Sequence, residues 1–288
     1  MLPILFGILT SFCFAIASLS AQRGYHLAPA PWGAWITIAA NCGFLFAAHF
    51  VLNSETQFFV TDNLIFVAVG LFVPGVTRVL SFRAIRTMGS SVTSTIINTT
   101  PMFSTVFAVA LLGERPTTMT MMGVLITVAG LVTVSWIGVN APYRKRELVY
   151  PLLCSLIFSL KDVTVRWGLV GAEVQPILAA GIAAATSTIQ IFLIIRFAQG
   201  EKFSLPPAPA VRWFIASGIF TGGSFLFMYV ALSLEEVSII APLINSYAVF
   251  VILLTPLMAR QIEKVTLRRV LGVIMVVAGI FLVSLGKA

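Results

Sequence analysis

Runs of roughly twenty apolar residues, joined by short polar connections, leave this chain few ways to fold. A helix rises about 1.5 Å per residue, so such a run matches a hydrocarbon layer of about 30 Å. The runs fall at 1–22, 31–53, 63–82, 91–113, 118–138, 148–170, 175–195, 211–232, 237–259 and 267–286. Backbone amides in hydrocarbon must be satisfied within the span, which makes each run a helix. The composition agrees: of 288 residues, 59% are hydrophobic and only 10% charged, against about 25% charged in a soluble domain. The expectation is an all-α integral membrane protein with ten transmembrane helices. No basic segment precedes the first run, whose first charge is Arg23 after its end, so it reads as a retained span rather than a cleaved signal peptide.

The pI near 9.9 comes from basic residues on one set of loops. Thirteen of the eighteen Lys and Arg lie in or beside odd-numbered loops: Arg23, Arg83, Arg86, Arg144, Lys145, Arg146, Arg196, Lys202, Arg212, Arg260, Lys264, Arg268 and Arg269. Only Arg115 and Lys287 lie on the other side, and Arg78, Lys161 and Arg166 fall inside spans. The positive-inside rule makes the odd loops cytoplasmic, in an inner or plasma membrane, with both termini outside. This distribution, with no basic tail or recognition motif, implies a lipid bilayer as partner and no nucleic acid. Cys13, Cys42 and Cys154 each sit in an apolar run, and His26 and His49 add no ligand spacing, so neither a disulfide framework nor a metal site is expected. His49 reads as a satisfied polar neighbour.

The chain repeats itself. "GVLITVAG" (123–130) returns as "GVIMVVAG" (272–279), 149 residues on, and the same offset pairs Glu114 with Glu263, Arg115 with Lys264 and Thr117 with Thr266. Upstream, an offset of 147 pairs Asn98 with Asn245, Ala84 with Ala231 and Ser91 with Ser238. Registered polar residues make this a duplication of five spans, with domains at 1–140 and 141–288. Five is odd, so the second copy enters from the opposite face. Two inverted five-helix repeats are the expected architecture, and such symmetry suits a carrier with inward- and outward-open forms.

The stretch "NTTPMFSTVFAVALLGERPTTMTMMGVLITVAGLVTV" resembles the end of the EamA-type domain of the drug/metabolite transporter superfamily, through Pro101, "LLGERPT" and "GVLITVAG". The second copy keeps Glu263, Thr266, Gly272 and Gly279, but has Ala248 where Pro101 stands and "ARQIEKVT" for "LLGERPT". The resemblance covers nearly the whole chain. It implies a ten-helix carrier of amino acids, related metabolites or drugs, often an exporter, and both termini in the cytoplasm. The charge count places the termini outside, and thirteen against two decides for the charge.

Carrier sites lie near the midplane, where helices are interrupted. Asn98-Thr99-Thr100-Pro101 lies about 12 Å into the fourth span, and Pro101 frees a carbonyl there. Asn245-Ser246-Tyr247 lies at similar depth in the ninth, one turn beyond Pro242. Asn98, Thr99, Asn245 and Tyr247 are therefore candidate substrate ligands; the alternative is hydrogen bonding between packed helices. Pro101 and Pro242 are candidate helix breaks. Gly222-Gly223 reads as a close-packing point or a gate hinge.

"SLKDVTVRWG" (159–168) carries three charges in the sixth span. A charge at mid-bilayer costs at least about 2.5–3.5 kcal/mol, so it faces protein or water. Asp162 and Arg166 stand four apart and can pair on one face. Lys161 points about 100° away and is free to hold a substrate carboxylate or phosphate. Asp162 is the candidate for a coupled proton or a substrate amine. Arg166 matches Arg23 at an offset of 143 and reads as an end anchor, whereas Lys161 meets Ser18. Arg78 and Tyr229 are further candidates, Arg78 with snorkelling as its alternative.

The leading reading is a secondary active transporter of small organic metabolites, zwitterionic or anionic, working by alternating access around a central cavity. It is not an enzyme, needs no cofactor beyond a coupled proton, and is taken as a monomer. No ATP-binding motif occurs. The alternatives are a membrane-embedded enzyme acting on a lipid, which wants clustered His, Asp or Glu, and a channel, which wants a ring of polar residues.

Overall fold

The computed structural model describes residues 2–28, 31–52, 61–135, 145–171, 174–258 and 267–286. Twelve α-helices carry them: α1 Leu2–Leu27, α2 Pro31–Leu52, α3 Leu64–Gly70, α4 Thr77–Ile97, α5 Thr100–Phe107, α6 Thr118–Ser135, α7 Val149–Gly171, α8 Pro176–Leu193, α9 Ala208–Leu234, α10 Val237–Asn245, α11 Tyr247–Met258 and α12 Leu267–Leu285. Among the described residues, eight stretches are long and apolar enough to cross a membrane. Two shorter apolar helices, Leu64–Pro74 and Val270–Leu285, fall where the third and tenth spans are expected.

Local chemistry sets the ends. Pro176 opens α8, where a missing amide costs nothing. The Thr117 hydroxyl accepts the Thr120 amide at 3.2 Å and caps α6. Beyond α5 the chain runs through a π-type turn, Ala108–Leu112, and stops at Gly113 with φ +69°, a conformation that glycine adopts without a steric penalty. Pro74 forces Val73 into an extended conformation (φ −127°, ψ 119°), and this separates α3 from α4.

The connection expected at 83–90 is instead helical, because α4 runs from Thr77 to Ile97. Its axis cannot be straight. The Thr77 carbonyl and the Ser81 hydroxyl lie 3.5 and 3.3 Å from the Cys154 thiol, while Thr99 and Thr100 lie 3.3 and 3.2 Å from the next residue, Ser155. A straight helix would hold Thr77 and Thr99 about 33 Å apart. The chain therefore doubles back within α4, along α7.

The longest interfaces are built from small residues, as packing in lipid requires. Ser217 and Ser224 of α9 donate to the carbonyls of Ala17 and Thr10 on α1. On α6 and α12 the repeated glycines meet each other. A Cβ on Gly123 would stand 2.6 Å from the Gly279 carbonyl, and one on Gly130 2.7 Å from that of Gly272. The rising number on one helix meets the falling number on the other, so the two copies of the motif cross antiparallel. Gly222 has a parallel role: a Cβ there would meet the Phe44 ring at 2.6 Å. α9 is continuous through Gly222-Gly223, and of the two Gly222 makes the close approach, while a Cβ on Gly223 would meet only Cys13 Sγ at 3.6 Å.

Connections meet in two groups. Trp32 donates to the Lys202 carbonyl at 2.9 Å, and Arg83 stacks on Tyr150 at 4.5 Å. At the other end Glu114 meets the start of α10, Thr117 donates to the Gly286 carbonyl, and Arg166 meets the end of α9. Each contact joins loops of the same parity.

Candidate functional site

Both expected interruptions occur at mid-span. α4 stops at Ile97, Asn98-Thr99 form a turn, and Pro101 sits buried in the first turn of α5. α10 stops at Asn245, Ser246 forms the turn, and α11 begins at Tyr247. The break is not at Pro242, which α10 accommodates inside its length; only the amide bond to the preceding turn is lost, and the helix continues for three residues. The carbonyls freed at both breaks are taken locally. Thr99 and Thr100 donate to Ile96 and Ile97 at 2.6 Å. Ser246 and Ser11 both donate to the Leu243 carbonyl.

Beside the breaks lies a cavity of about 450 Å³, within the size range of small-molecule sites. Residues of α1, α2, α7, α8 and α9 wall it together with both breaks. Asn98, Lys161, Asp162, Tyr229, Asn245 and Tyr247 all line it. Thr99 does not: its hydroxyl turns back to Ile96 and toward Ser155. Asn98 divides its role, because its amide donates to the Ser135 hydroxyl at 2.6 Å while lining the wall. Asn245 donates to the Ala241 carbonyl at 2.8 Å. The backbone of Arg78 lies in the first turn of α4, and its side chain lies outside the described residues, as do Arg260, Glu263 and Lys264.

The three charges of α7 sort differently from the spacing argument. Lys161 Nζ stands 2.6 Å from Asp162 Oδ1, and Ser104 of α5 donates to Asp162 Oδ2 at 3.0 Å. Arg166 turns away and donates to the Leu232 carbonyl at 2.7 Å. Leu232 lies in the last turn of α9, where carbonyls lack helical partners. The correction has a plain cause: Arg166 sits one turn nearer the helix end and finds an acceptor there. Lys161 starts on a different face, yet its four-carbon stem curls back to its neighbour. It is not free, since Met228 Sδ also lies 3.5 Å from Nζ. Both charges are sequestered, with side chains 10% and 3% exposed.

Two further polar groups matter. Asn41 on α2 and Tyr229 on α9 are buried in the cavity wall, and Asn41 Oδ1 and the Tyr229 hydroxyl have no hydrogen-bond partner among the described residues. Asn41, Ser104 and Met228 escaped the sequence reading because none lies at a break or carries a charge; Thr100 lies within the Asn98–Pro101 break and also lines the cavity. Ser18, the residue that stands in register with Lys161, lines the cavity too and is exposed. His49 is buried and partnered, and the three cysteines are free thiols.

A sequence profile of the EamA-like transporter family matches residues 1–136 and 146–285. A solved structure titled "Crystal structure of protein" superposes with a TM-score of 0.79 at 18% identity, covering 98% of this chain and 96% of that one. At that identity the likeness concerns the fold. No curated protein sequence matches the chain. With eight long apolar spans among its described residues, broken helices around a cavity and a family match in both halves, the chain belongs to the EamA-like transporter family, whose members are membrane transporters.

Proposed function

We propose that the protein is a secondary active transporter of small zwitterionic or anionic metabolites, built of ten spans in two inverted repeats and working by alternating access. The observation that carries this is the buried Lys161–Asp162 pair in the wall of a cavity flanked by two broken helices. A self-neutralised pair has no need of a ligand, but a zwitterion can replace each partner for the other. Its carboxylate meets Lys161 and its amine meets Asp162, and no net charge is added to the site. That exchange avoids the penalty of an uncompensated buried charge. An anion leaves two negative charges on one lysine unless Asp162 takes a proton, so proton coupling is expected for anionic substrates. Asn41 and Tyr229 supply hydrogen-bonding groups that no other described residue occupies.

The antiparallel crossing of Gly123 on Gly279 and Gly130 on Gly272 supports the inverted repeat, because a two-fold axis in the membrane plane runs equivalent helices in opposite directions. The meeting of loops by parity supports ten crossings. The exposed Ser18, in the half of α1 nearer an odd-numbered loop, supports a cavity that opens toward those loops. With those loops cytoplasmic, substrate loads from the cytoplasm, which favours export.

Vesicles containing the purified protein test this. Saturable uptake with counterflow across a panel of amino acids and organic acids is the expected result. Absence of movement across the whole panel, with a chemically altered product instead, defeats the reading.

A further inference from the structure

The amide groups at the start of α10 are held by a residue 123 positions away. Glu114 Oε1 accepts the Val237 amide at 2.7 Å, and Oε2 accepts that of Ser238 at 3.0 Å. A helix start is ordinarily capped by its own preceding residue, yet Glu236, which stands there, makes no side-chain cap. Glu114 is 8% exposed. Its charge rests on these two amides and on the positive end of α10.

The position of this contact is as informative as its geometry. The cavity lining on α9 ends at Tyr229. Beyond it Val165, Leu232, Val237 and Ile240, near the ends of α7, α9 and α10 on that side, are all fully buried in one apolar cluster. The far end of α10 carries Ile244 and Asn245, which line the cavity. One rigid helix thus joins the Glu114 contact to the cavity wall. The repeat adds an asymmetry. Residues 90 and 91 correspond to Val237 and Ser238, but they lie inside α4, so no helix start is offered there. Glu263, the counterpart of Glu114, lies outside the described residues.

We propose that Glu114 is the latch that keeps the cavity shut toward the 113–117 and 235–236 loops, and that its release from α10 opens the cavity to that face. The proposal rests on the alternating-access reading above. The release is reversible because that face can offer water to the Val237 and Ser238 amides and to the carboxylate. Other charges act on the latch. Glu236 repels it, Glu235 and Arg166 act on Glu236 with opposite signs, and the exposed Arg115 adjoins the latch in the chain. Ser238 also donates to Glu236 at 3.4 Å, holding that second carboxylate beside the first.

Cysteine accessibility in sealed vesicles tests this. In a background with Cys13→Ser, Cys42→Ser and Cys154→Ala, two single reporters are made, Ser18→Cys in the cavity and Ser238→Cys behind the latch. Each is labelled with a membrane-impermeant maleimide from either side. With Glu114 intact, Ser18→Cys should react from the odd-loop face and Ser238→Cys slowly from both. Glu114→Gln should raise labelling of Ser238→Cys from the even-loop face roughly tenfold or more and lower that of Ser18→Cys. Glu236→Gln, which removes repulsion and keeps the latch, should leave Ser238→Cys as slow as before or slower. If Glu114→Gln changes neither reporter, or speeds both as general loosening does, the latch is wrong. If Ser18→Cys reacts from the even-loop face with Glu114 intact, the alternating-access reading in this orientation fails instead.

Discussion

Lys161 Nζ lies 2.6 Å from Asp162 Oδ1, and both side chains are largely covered, at 10% and 3% exposed. Removing one partner leaves the other charge buried alone, at a cost of about 3–5 kcal/mol. Lys161→Gln should therefore lower stability by that order and also abolish transport of zwitterions. A double variant, Lys161→Met with Asp162→Leu, should recover most of the stability, because no uncompensated charge remains, and stay inactive. Thermal melting and vesicle uptake on the three proteins separate the two roles. A double variant that still transports would remove the pair from the site.

Ser104 gives Asp162 its second contact, from a different helix, at 3.0 Å. A hydrogen bond to a charged group contributes about 1.5–3 kcal/mol. Ser104→Ala should destabilise by that order, and Ser104→Thr, which keeps the hydroxyl, should restore most of it. Melting temperatures in one detergent check both.

Glu236 makes stability depend on pH in a definite direction. Burial first, then the charges of Glu114 and Glu235, hold its carboxyl above the ordinary 4.5, while the Ser238 hydroxyl and Arg166 pull it partly back. The folded protein thus keeps a proton that the unfolded chain has released. The contribution of Glu236 to stability is largest below about 4.5 and declines as pH rises from there through its raised value. Glu236→Gln should flatten that decline in melting curves taken from pH 4 to 7. An unchanged slope would place the source elsewhere.

The crossing of α6 on α12 leaves no room at its glycines. A Cβ at Gly130 or Gly272 would lie within 2.8 Å of the opposing backbone carbonyl, and neither backbone can yield without separating the helices. Gly130→Ala should cost about 1–3 kcal/mol, and Gly130→Val more. Gly43, which meets nothing within 4 Å, serves as the control: Gly43→Ala should melt at or above the parent temperature.

Much of this architecture was legible in the residues, element by element. The ends of α2, α6, α8 and α12 fall within three residues of the apolar runs, because span length is a property of the run itself. The breaks after Ile97 and Asn245 were signalled by polar residues set in apolar surroundings. The third span was misjudged at its end, since Thr77–Ile97 reads as two segments by hydropathy while its backbone stays helical through the turn. The cavity's charge pattern was misjudged as well. Spacing joined Asp162 to Arg166, and the long stem of Lys161 reversed that outcome.

What the sequence by itself determined are the properties that depend on neighbours in the chain: helices of membrane length, their prolines and glycines, and the loops that carry positive charge. Only the tertiary structure decided which distant groups meet: Ser104 with Asp162, Arg166 with Leu232, and Glu114 with the start of α10. The reason is physical. Helix formation in lipid is settled within each span, where every amide must find its partner nearby. Pairing between helices depends on how rigid rods pack, to within a fraction of an ångström, and side chains scores of residues apart register with one another only once that packing exists.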